Sequence, residues 1–284
     1  MKKINCMISA LMILGVFVAC GNKNKPKKLE EPLPLNISVF LDLSDRLTRD
    51  LSPSQISRDT AIIGYVTDWL KEKTVGAKIL QSKNRMKILF YPAPKSSDIA
   101  TLASELYFDV AKFKGVEKRK ALEGYPSDGT ESLKSKFQKN LAAIYDKTVD
   151  EKDWVGCDIW DFFSSKKVDA QCVENGFRNI LIILTDGYLY EANHKEVDGH
   201  AYSYISPKTL SDSTSSLIVK RDGLNDLEVA VLEINPYDIK HRDKMKEVLE
   251  SWLQAMGVAE EHVTVAETDL PVHVKTIVRS FLEK

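Results

Sequence analysis

The chain of 284 residues is long enough to bury a sizeable core, and 43% hydrophobic and 29% charged residues are ordinary proportions for a globular protein. Its formal net charge is −1, and its one basic cluster, Lys23 to Lys28, precedes the predicted fold. Proteins that bind nucleic acid through phosphate contacts usually carry a concentrated basic surface, so nucleic acid is not an expected partner.

The first 20 residues carry the features of an export signal. Lys2 and Lys3 precede an almost wholly apolar run, Ile4 to Ala19, which is short for a transmembrane helix. The stretch Phe17-Val18-Ala19-Cys20 resembles the lipobox of bacterial lipoproteins, with phenylalanine where leucine is usual. The resemblance implies that Cys20 is lipidated and anchors the protein to a bacterial membrane, on its periplasmic side or at the cell surface. An ordinary signal peptide and an uncleaved anchor helix are the alternatives.

A tether and the first strand and helix follow the signal. Residues 21–34 are polar, charged and proline-containing, without apolar periodicity, and predict a flexible tether. Leu35 to Leu43 is apolar and rich in strand-forming residues, and predicts a buried strand. The sequence Ser52-Pro53-Ser54-Gln55 predicts a helix start, with the first serine as cap and the proline at the first helical position. This helix is expected to end near Lys73.

The middle of the chain predicts one more strand and three helices. A strand over Arg85–Tyr91 is stopped by prolines. Helices are predicted over Asp98–Phe113, with Asp98 as cap, and over Glu131–Asp146, with a charged loop over Gly115–Gly129 between them. A short helix is expected at Ile159–Phe163.

Two apolar runs in the second half predict central strands. Asn179 to Thr185 is a near-continuous run of branched residues, as expected for a strand buried on both faces, and Leu227 to Ile234 is another. The remaining predicted elements are a helix from Asn235-Pro236 to Met256, a strand at His262–Ala266 and a helix at Leu270–Leu282. This alternation predicts one α/β domain over residues 35–284, with three layers and a mostly parallel sheet covered by helices on both faces.

Two cysteines, Cys157 and Cys172, lie outside the signal. Export to an oxidising compartment would permit a disulfide between them. Two separate buried thiols are the alternative, because a disulfide requires Cα atoms within about 7 Å and the sequence does not give that distance.

Two aspartates follow the ends of apolar strands. Asp42 leaves the first strand in Asp42-Leu43-Ser44-Asp45-Arg46, and Asp186 leaves the central strand in Thr185-Asp186-Gly187. In open α/β sheets, ligands bind outside the carboxyl ends of the strands. Two carboxylates brought together there repel each other unless a hard cation or an arginine lies between them.

These motifs resemble the metal-ion-dependent adhesion site of the von Willebrand factor type A (vWA) family. In that family the first strand ends in Asp-x-Ser-x-Ser, a mid-chain loop supplies a threonine, and an aspartate follows the central strand. Asp42 and Ser44 match the first two ligands, Gly129-Thr130 matches the threonine loop, and Asp186 in Leu-Thr-Asp-Gly matches the last ligand. The resemblance covers residues 35–284 and implies a vWA/Rossmann-like fold and a Mg²⁺ site formed by Asp42, Ser44, Thr130 and Asp186.

Arg46 departs from the family pattern, because it stands where the third ligand of the first motif is serine. A guanidinium is always charged and cannot bind a cation. In one interpretation Arg46 points away and the four other residues hold Mg²⁺. In the other, Arg46 replaces the metal by pairing with Asp42 and Asp186. The sequence leaves both open, together with the absence of such a site.

The segment after Asp186 is a candidate partner-contact loop. Between positions 188 and 205 it carries four tyrosines, which supply large amphipathic contact areas in binding loops: Tyr188, Tyr190, Tyr202 and Tyr204. Alternating tyrosines that merely pack against the domain are the competing interpretation, since any half-buried strand shows that period.

The sequence therefore favours a non-enzymatic, lipid-anchored protein of the cell envelope that binds an unidentified protein partner. A phosphatase that uses Asp42 as nucleophile would need a second aspartate at position 44, where Ser44 stands, so the proton donor is missing. A metal-free structural lipoprotein, in which Arg46 fills the site, is the second alternative.

Overall fold

Six strands form one sheet in the computed structural model, which describes residues 32–76, 79–152, 156–187, 221–236, 242–267 and 269–284. Leu33–Lys284 forms one compact unit. The strands are β1 (Leu35–Leu41), β2 (Arg85–Leu89), β3 (Tyr107–Asp109), β4 (Arg178–Leu184), β5 (Leu227–Ile234) and β6 (Val263–Glu267).

Helices alternate with these strands. Within the described ranges they are α1 (Gln55–Thr74), α2 (Ser97–Ser104), α3 (Glu117–Glu123), α4 (Leu133–Glu151), α5 (Ile159–Ser164), α6 (Lys167–Cys172), α7 (Arg242–Ala255) and α8 (Pro271–Leu282). None of these helices is both long and apolar enough to cross a membrane.

The sheet is mostly parallel, in the order β3-β2-β1-β4-β5-β6. β1 pairs in parallel with β2 and β4, β4 with β5, and β5 with β6, whereas β3 is antiparallel to β2. The prediction that the first, central and Leu227–Ile234 strands are adjacent and parallel is confirmed. The strand order reverses between β1 and β4, and in doubly wound sheets that point is where ligands bind.

Helices cover both faces of the sheet, which confirms the predicted three-layer α/β fold with a mostly parallel sheet. Successive side chains of β1 point to opposite faces, so Val39 belongs to one core and Phe40 to the other. The first core contains residues of α1, α4 and α8, and the second contains residues of α5, α6 and α7. Because both faces are covered, β1 and β5 are buried at every position, as their apolar sequences predict.

The helix predicted over Asp98–Phe113 is wrong in its second half. α2 follows Ser96 rather than Asp98 and ends at Ser104, and the chain then forms the edge strand β3. Leu106, Phe108 and Val110 are all buried, so the apolar spacing after residue 104 is the two-residue period of a strand.

Three other local predictions need correction. The cap of α1 is Ser54, whose hydroxyl accepts a hydrogen bond from the Ser57 amide, so the prediction of Ser52 as cap is two residues early. The predicted loop over Gly115–Gly129 contains α3, and a further short helix, α6, follows α5.

Cys157 and Cys172 are both buried and are not joined. Cys157 follows Gly156, which pairs with Leu43 just beyond the carboxyl end of β1. The Cys172 carbonyl instead accepts a hydrogen bond from Asn36 near the start of β1. The two ends of this strand lie roughly 20 Å apart at about 3.3 Å per residue, far beyond the reach of a disulfide.

Candidate functional site

The two strand-end aspartates lie at the same edge of the sheet. Asp42 follows β1, and its amide donates to the Leu184 carbonyl at the end of the neighbouring strand β4 (3.1 Å). Asp186 follows β4, and its carbonyl accepts from the Asn235 amide just after β5 (3.0 Å). Both aspartates are buried, at 2% and 5% exposure, so their charges need compensation from the protein.

Arg46 supplies the charge beside Asp42. It lies in a 3-10 turn, Asp45–Thr48, whose cap is Ser44; the Ser44 hydroxyl accepts a long hydrogen bond from the Arg46 amide (3.4 Å). The turn aims the guanidinium inward, where Nε donates to the Asp42 carbonyl (3.1 Å) and lies 3.5 Å from Asp42 Oδ2. Nη2 donates to the Leu184 carbonyl (3.1 Å). Arg46 is 1% exposed, so it is part of the interior of the protein.

A third carboxylate, Asp59 of α1, completes the arginine's surroundings. Its Oδ2 accepts from Arg46 Nη2 (2.7 Å) and from the Tyr145 hydroxyl (3.0 Å), and its Oδ1 accepts from Gln55 Nε2 (2.9 Å). Asp59 is fully buried. Asp59 was not among the site residues predicted from the sequence. Its position three residues before Ile62, on the apolar face of the predicted helix, nevertheless indicates a buried carboxylate.

Arg49, one residue after the same turn, neutralises Asp186. Its Nη2 lies 2.6 Å from Asp186 Oδ2, and its Nη1 donates to the Asn235 carbonyl. The Arg49 side chain is 13% exposed, so this second ion pair is closer to the surface than the first. Arg46 therefore pairs with Asp42 and Asp59, whereas the predicted pairing of Arg46 with Asp186 is replaced by Arg49.

Burial affects the pKa of the Asp42 carboxyl. It raises the pKa of Asp42, and the Arg46 charge opposes that rise. Asp42 Oδ2 accepts from the Thr185 hydroxyl (2.8 Å), whereas Oδ1 has no hydrogen-bond partner in the part of the chain that the structure describes. Burial also opposes the charge of Arg46, but Asp59 and Asp42 outweigh it and raise the arginine's pKa. Arg46 therefore remains the fixed positive charge of this cluster.

Glu233 is a fourth buried carboxylate at this edge. The pairing of β5 with β6 is irregular between Val231 and Ile234, and Glu233 has a left-handed φ of 70°. This bulge turns the Glu233 side chain toward α1, where Gln55 donates to Oε2 (3.3 Å) and Arg58 lies 3.9 Å away. Burial and then the Asp59 charge raise the pKa of Glu233 to about 7. A glutamate in an apolar strand was visible in the sequence, but the bulge that aims it was not.

The Thr130 side chain forms its hydrogen bond with Asp128, which is not part of the cluster around Arg46. It follows Gly129, whose φ of 77° suits the glycine of a tight turn, and its hydroxyl donates to Asp128 Oδ1 (2.5 Å). That hydrogen bond, with a second from Lys120, lowers the pKa of Asp128 to about 2. The structure thus pairs Thr130 with Asp128, while Asp42, Ser44 and Asp186 lie along the carboxyl edge of β1 and β4.

As placed, these residues do not fit a Mg²⁺ ion. A guanidinium nitrogen lies 3.5 Å from Asp42 Oδ2 and another lies 2.6 Å from Asp186 Oδ2, so a cation between them would meet two like charges. The Thr130 hydroxyl is engaged by Asp128. Among the residues with described positions, no group of three or more His, Cys, Asp or Glu side chains could hold a metal.

Two predicted functional features, the lipidation site Cys20 and the tyrosines Tyr188, Tyr190, Tyr202 and Tyr204, lie outside the described residues. The described chain leads directly to the tyrosine segment, since β4 is followed by Asp186 and Gly187.

No protein-family model matches the sequence, and no curated protein matches it either. Several solved structures are similar to this chain at low identity. Proximal thread matrix protein 1 from the mussel byssus is 9% identical with a TM-score of 0.42, over 88% of this chain and 48% of that one. The pilus adhesin SpaC from Lactobacillus rhamnosus GG is 12% identical with a TM-score of 0.45, over 89% of this chain and 30% of that one. This chain thus spans less than half the length of either.

A third similar structure is an aerotolerance-related membrane protein from Bacteroides fragilis NCTC 9343. It is 12% identical with a TM-score of 0.42, over 88% of this chain and 98% of that one. Likeness at this level does not extend to function.

Proposed function

We propose that this chain is a lipid-anchored protein of a bacterial cell envelope whose vWA-like domain binds a partner protein at the carboxyl edge of its sheet. It does so without a resident divalent cation and without catalysing a reaction. The observation that carries the proposal is the double ion pairing at that edge, where Arg46 lies beside Asp42 and Arg49 beside Asp186.

The arginines offset the negative charge of the aspartates, as a bound metal ion would. Two buried carboxylates at neighbouring strand ends are unfavourable unless positive charge is near them. Arg46 and Arg49 supply that charge from one turn of the chain, and they also satisfy the Leu184 and Asn235 carbonyls. Each strand-end aspartate therefore has an arginine beside it, and a partner that binds there meets a guanidinium–carboxylate surface rather than a metal.

Two features support this edge as the contact surface. It lies at the switch point between β1 and β4, where open α/β sheets place their ligands. The Arg49–Asp186 pair is its partly exposed portion, at 13% and 7% side-chain exposure. The chain leaves this pair into the tyrosine-bearing segment, positions 188–205, whose aromatic residues suit protein contacts.

The lipid anchor is supported by the sequence of the first 34 residues. Cys20 ends a lipobox-like stretch, and the 14 residues at positions 21–34 could span at most about 50 Å when extended. The domain would therefore be held near a membrane surface while remaining free to meet partners.

The surroundings of Asp42 argue against a catalytic role for it. A nucleophilic carboxylate must reach its substrate, whereas Asp42 is 2% exposed and accepts a hydrogen bond from Thr185. Ser44 caps a turn and has no acidic proton to donate to a leaving group.

Capture from envelope fractions tests the binding proposal. The full-length protein, purified in detergent, is crosslinked to membrane extracts with Mg²⁺ or with a chelator. We expect the same partner band in both conditions, and its loss in Arg49→Glu, which places a like charge beside Asp186. Arg279→Glu, on the exposed surface of α8, is the matched control and should retain the band. A band that requires Mg²⁺, or one that survives Arg49→Glu unchanged, would contradict the proposal.

Calorimetry with Mg²⁺ tests the metal-free arrangement separately. The parent protein should show no saturable Mg²⁺ binding, whereas Arg46→Ser, which restores the vWA pattern and removes one of the two competing charges, should create it. Saturable Mg²⁺ binding by the parent would contradict the metal-free arrangement, but it would not contradict the binding of a partner protein.

A further inference from the structure

A small cavity lies at the opposite, amino-terminal edge of the sheet. It has a volume of about 120 Å³ and lies between the starts of β1 and β2, the edge strand β3, and the end of α6. The residues that give it its chemistry are Asn36, Arg85, Lys87, Tyr107, Gln171 and Glu174. By its position at the far end of the strands, this cavity is distinct from the carboxylate–arginine cluster described above.

Arg85 is held rigidly in the cavity wall. Its Nε donates to Asn36 Oδ1 (2.9 Å), its Nη2 donates to Glu174 Oε2 (2.8 Å), and its guanidinium lies over the Phe177 ring at 4.4 Å. Asn36 is itself oriented, because its amide nitrogen donates to the Asn179 side chain (2.7 Å). A guanidinium supported in this way can receive a ligand without losing further conformational freedom.

Lys87 adds a positive charge that the protein does not cancel. It lies two residues after Arg85, hence on the same face of β2, and pairs in register with Tyr107 of β3. The described part of the chain gives its ammonium group no ion-pair partner, whereas the charge of Arg85 is offset by Glu174. Burial and the nearby Arg85 charge lower the pKa of Lys87, although Cys172 and Glu174 partly oppose this. A half-buried, unpaired ammonium is unfavourable unless an anion joins it.

We infer that this cavity is a binding site for the phosphate group of a small soluble compound, held by Lys87 and Arg85. Lysine serves as a point charge for phosphate, and the N–H groups of Arg85 that Asn36 and Glu174 do not engage can add directional hydrogen bonds. The cavity can hold such a group, since one water needs about 10–15 Å³ and the cavity is several times larger. Among the charged side chains that line the cavity, Arg85 and Lys87 outnumber Glu174, so an anion is attracted into it.

Titration of the full-length protein in detergent tests the inference. Inorganic phosphate and glycerol 3-phosphate are added at constant ionic strength, and binding is followed by calorimetry and by ³¹P NMR. We expect saturable binding with a Kd no weaker than about 1 mM. Lys87→Met should weaken it at least tenfold. Lys147→Met, an exposed lysine of α4 that pairs with Asp98, is the matched control and should bind as the parent does.

Thermal unfolding keeps the test decisive if a variant is perturbed. Phosphate should raise the Tm of the parent and of Lys147→Met, because it binds only the folded state, but not that of Lys87→Met. Without phosphate, Lys87→Met should unfold no earlier than the parent, since it removes an unpaired, half-buried charge. Lys87→Gln provides a second variant should the methionine alter the fold. Absence of saturable binding to the parent, or equal binding by the parent and both Lys87 variants, would overturn the inference.

Discussion

Replacement of Arg46 by methionine gives the sharpest test of the buried cluster. The substitution keeps an apolar side chain of moderate length but removes the charge beside Asp42 and the pair with Asp59. Removal of one partner from a buried ion pair costs about 3–5 kcal/mol, because an uncompensated charge remains in the interior. We expect a loss of that size at pH 7, measured as the free energy of unfolding in urea. For a domain of this size the Tm should fall by roughly 10 °C.

The same variant should show a characteristic dependence on pH. Without Arg46, the charge that opposes the raised folded-state pKa of Asp42 is lost, so this pKa rises further above its unfolded value and the folded state is destabilised at pH values where the unfolded chain is ionised. The loss should therefore be largest at neutral pH and should shrink as the pH falls toward about 4. Asp59→Asn added to Arg46→Met should recover part of the loss, since it removes one uncompensated charge.

The control for Arg46→Met is Arg279→Met, because Arg279 is 59% exposed and pairs with Glu283 on the surface of α8. Exposed pairs of this kind contribute less than about 1 kcal/mol. If Arg46→Met lost no more stability than this control, or lost the same amount at every pH, the picture of a charge-compensating arginine would be wrong.

Three further predictions concern other parts of the chain. Glu233→Gln should be more stable than the parent above pH 7, by up to about 3 kcal/mol, and about equal to it near pH 4. The reason is that a carboxyl whose pKa is raised in the folded state makes the protein less stable as the pH rises from the unfolded-state pKa to about 7. Urea unfolding at both pH values measures this difference. Gly187→Ala should cost about 1–3 kcal/mol in the same assay, since Gly187 has a φ of 103° and the added methyl group would collide with Met245. Cys20→Ala should abolish metabolic labelling with a fatty acid, and equal labelling of mutant and parent would refute the lipid anchor.

The central strands could be predicted because their mostly apolar sequences indicate burial on both faces of the sheet. Asn179–Thr185 is a nearly continuous apolar run, and Leu227–Ile234 is apolar apart from Glu228 and Glu233, and the structure places both in the middle of the sheet. Asp42 and Asp186 could be placed at one edge for the same reason, since neighbouring parallel strands deliver their trailing residues together. These predictions required only the apolar pattern of each strand and the expectation that strands connected through helices are parallel.

The partners of those aspartates could not be predicted, because they depend on how a turn and a helix dock on the sheet. One of the interpretations that the sequence leaves open pairs Arg46 with Asp42 and Asp186, whereas in the structure it pairs with Asp42 and with Asp59 of α1. No local pattern in the sequence indicates the contact of Arg49 with Asp186, because the two residues are 137 positions apart. Likewise, β3 was hidden because Phe108 and its neighbours suit either a helix or an edge strand until the pairing with β2 decides between them.

An arginine in place of a metal changes what the sheet edge can respond to. A bound cation can be removed or exchanged, and its affinity depends on the surrounding concentration, whereas Arg46 is part of the chain and is 1% exposed. Under the proposed function, partner binding would therefore not vary with divalent cations. Nor could a partner bind by contributing one carboxylate to an open metal position, so recognition would depend on the partly exposed Arg49–Asp186 pair and the residues around it. A change of charge at Arg49 should therefore alter the choice of partner most. A change at Arg46 should instead lower the free energy of unfolding.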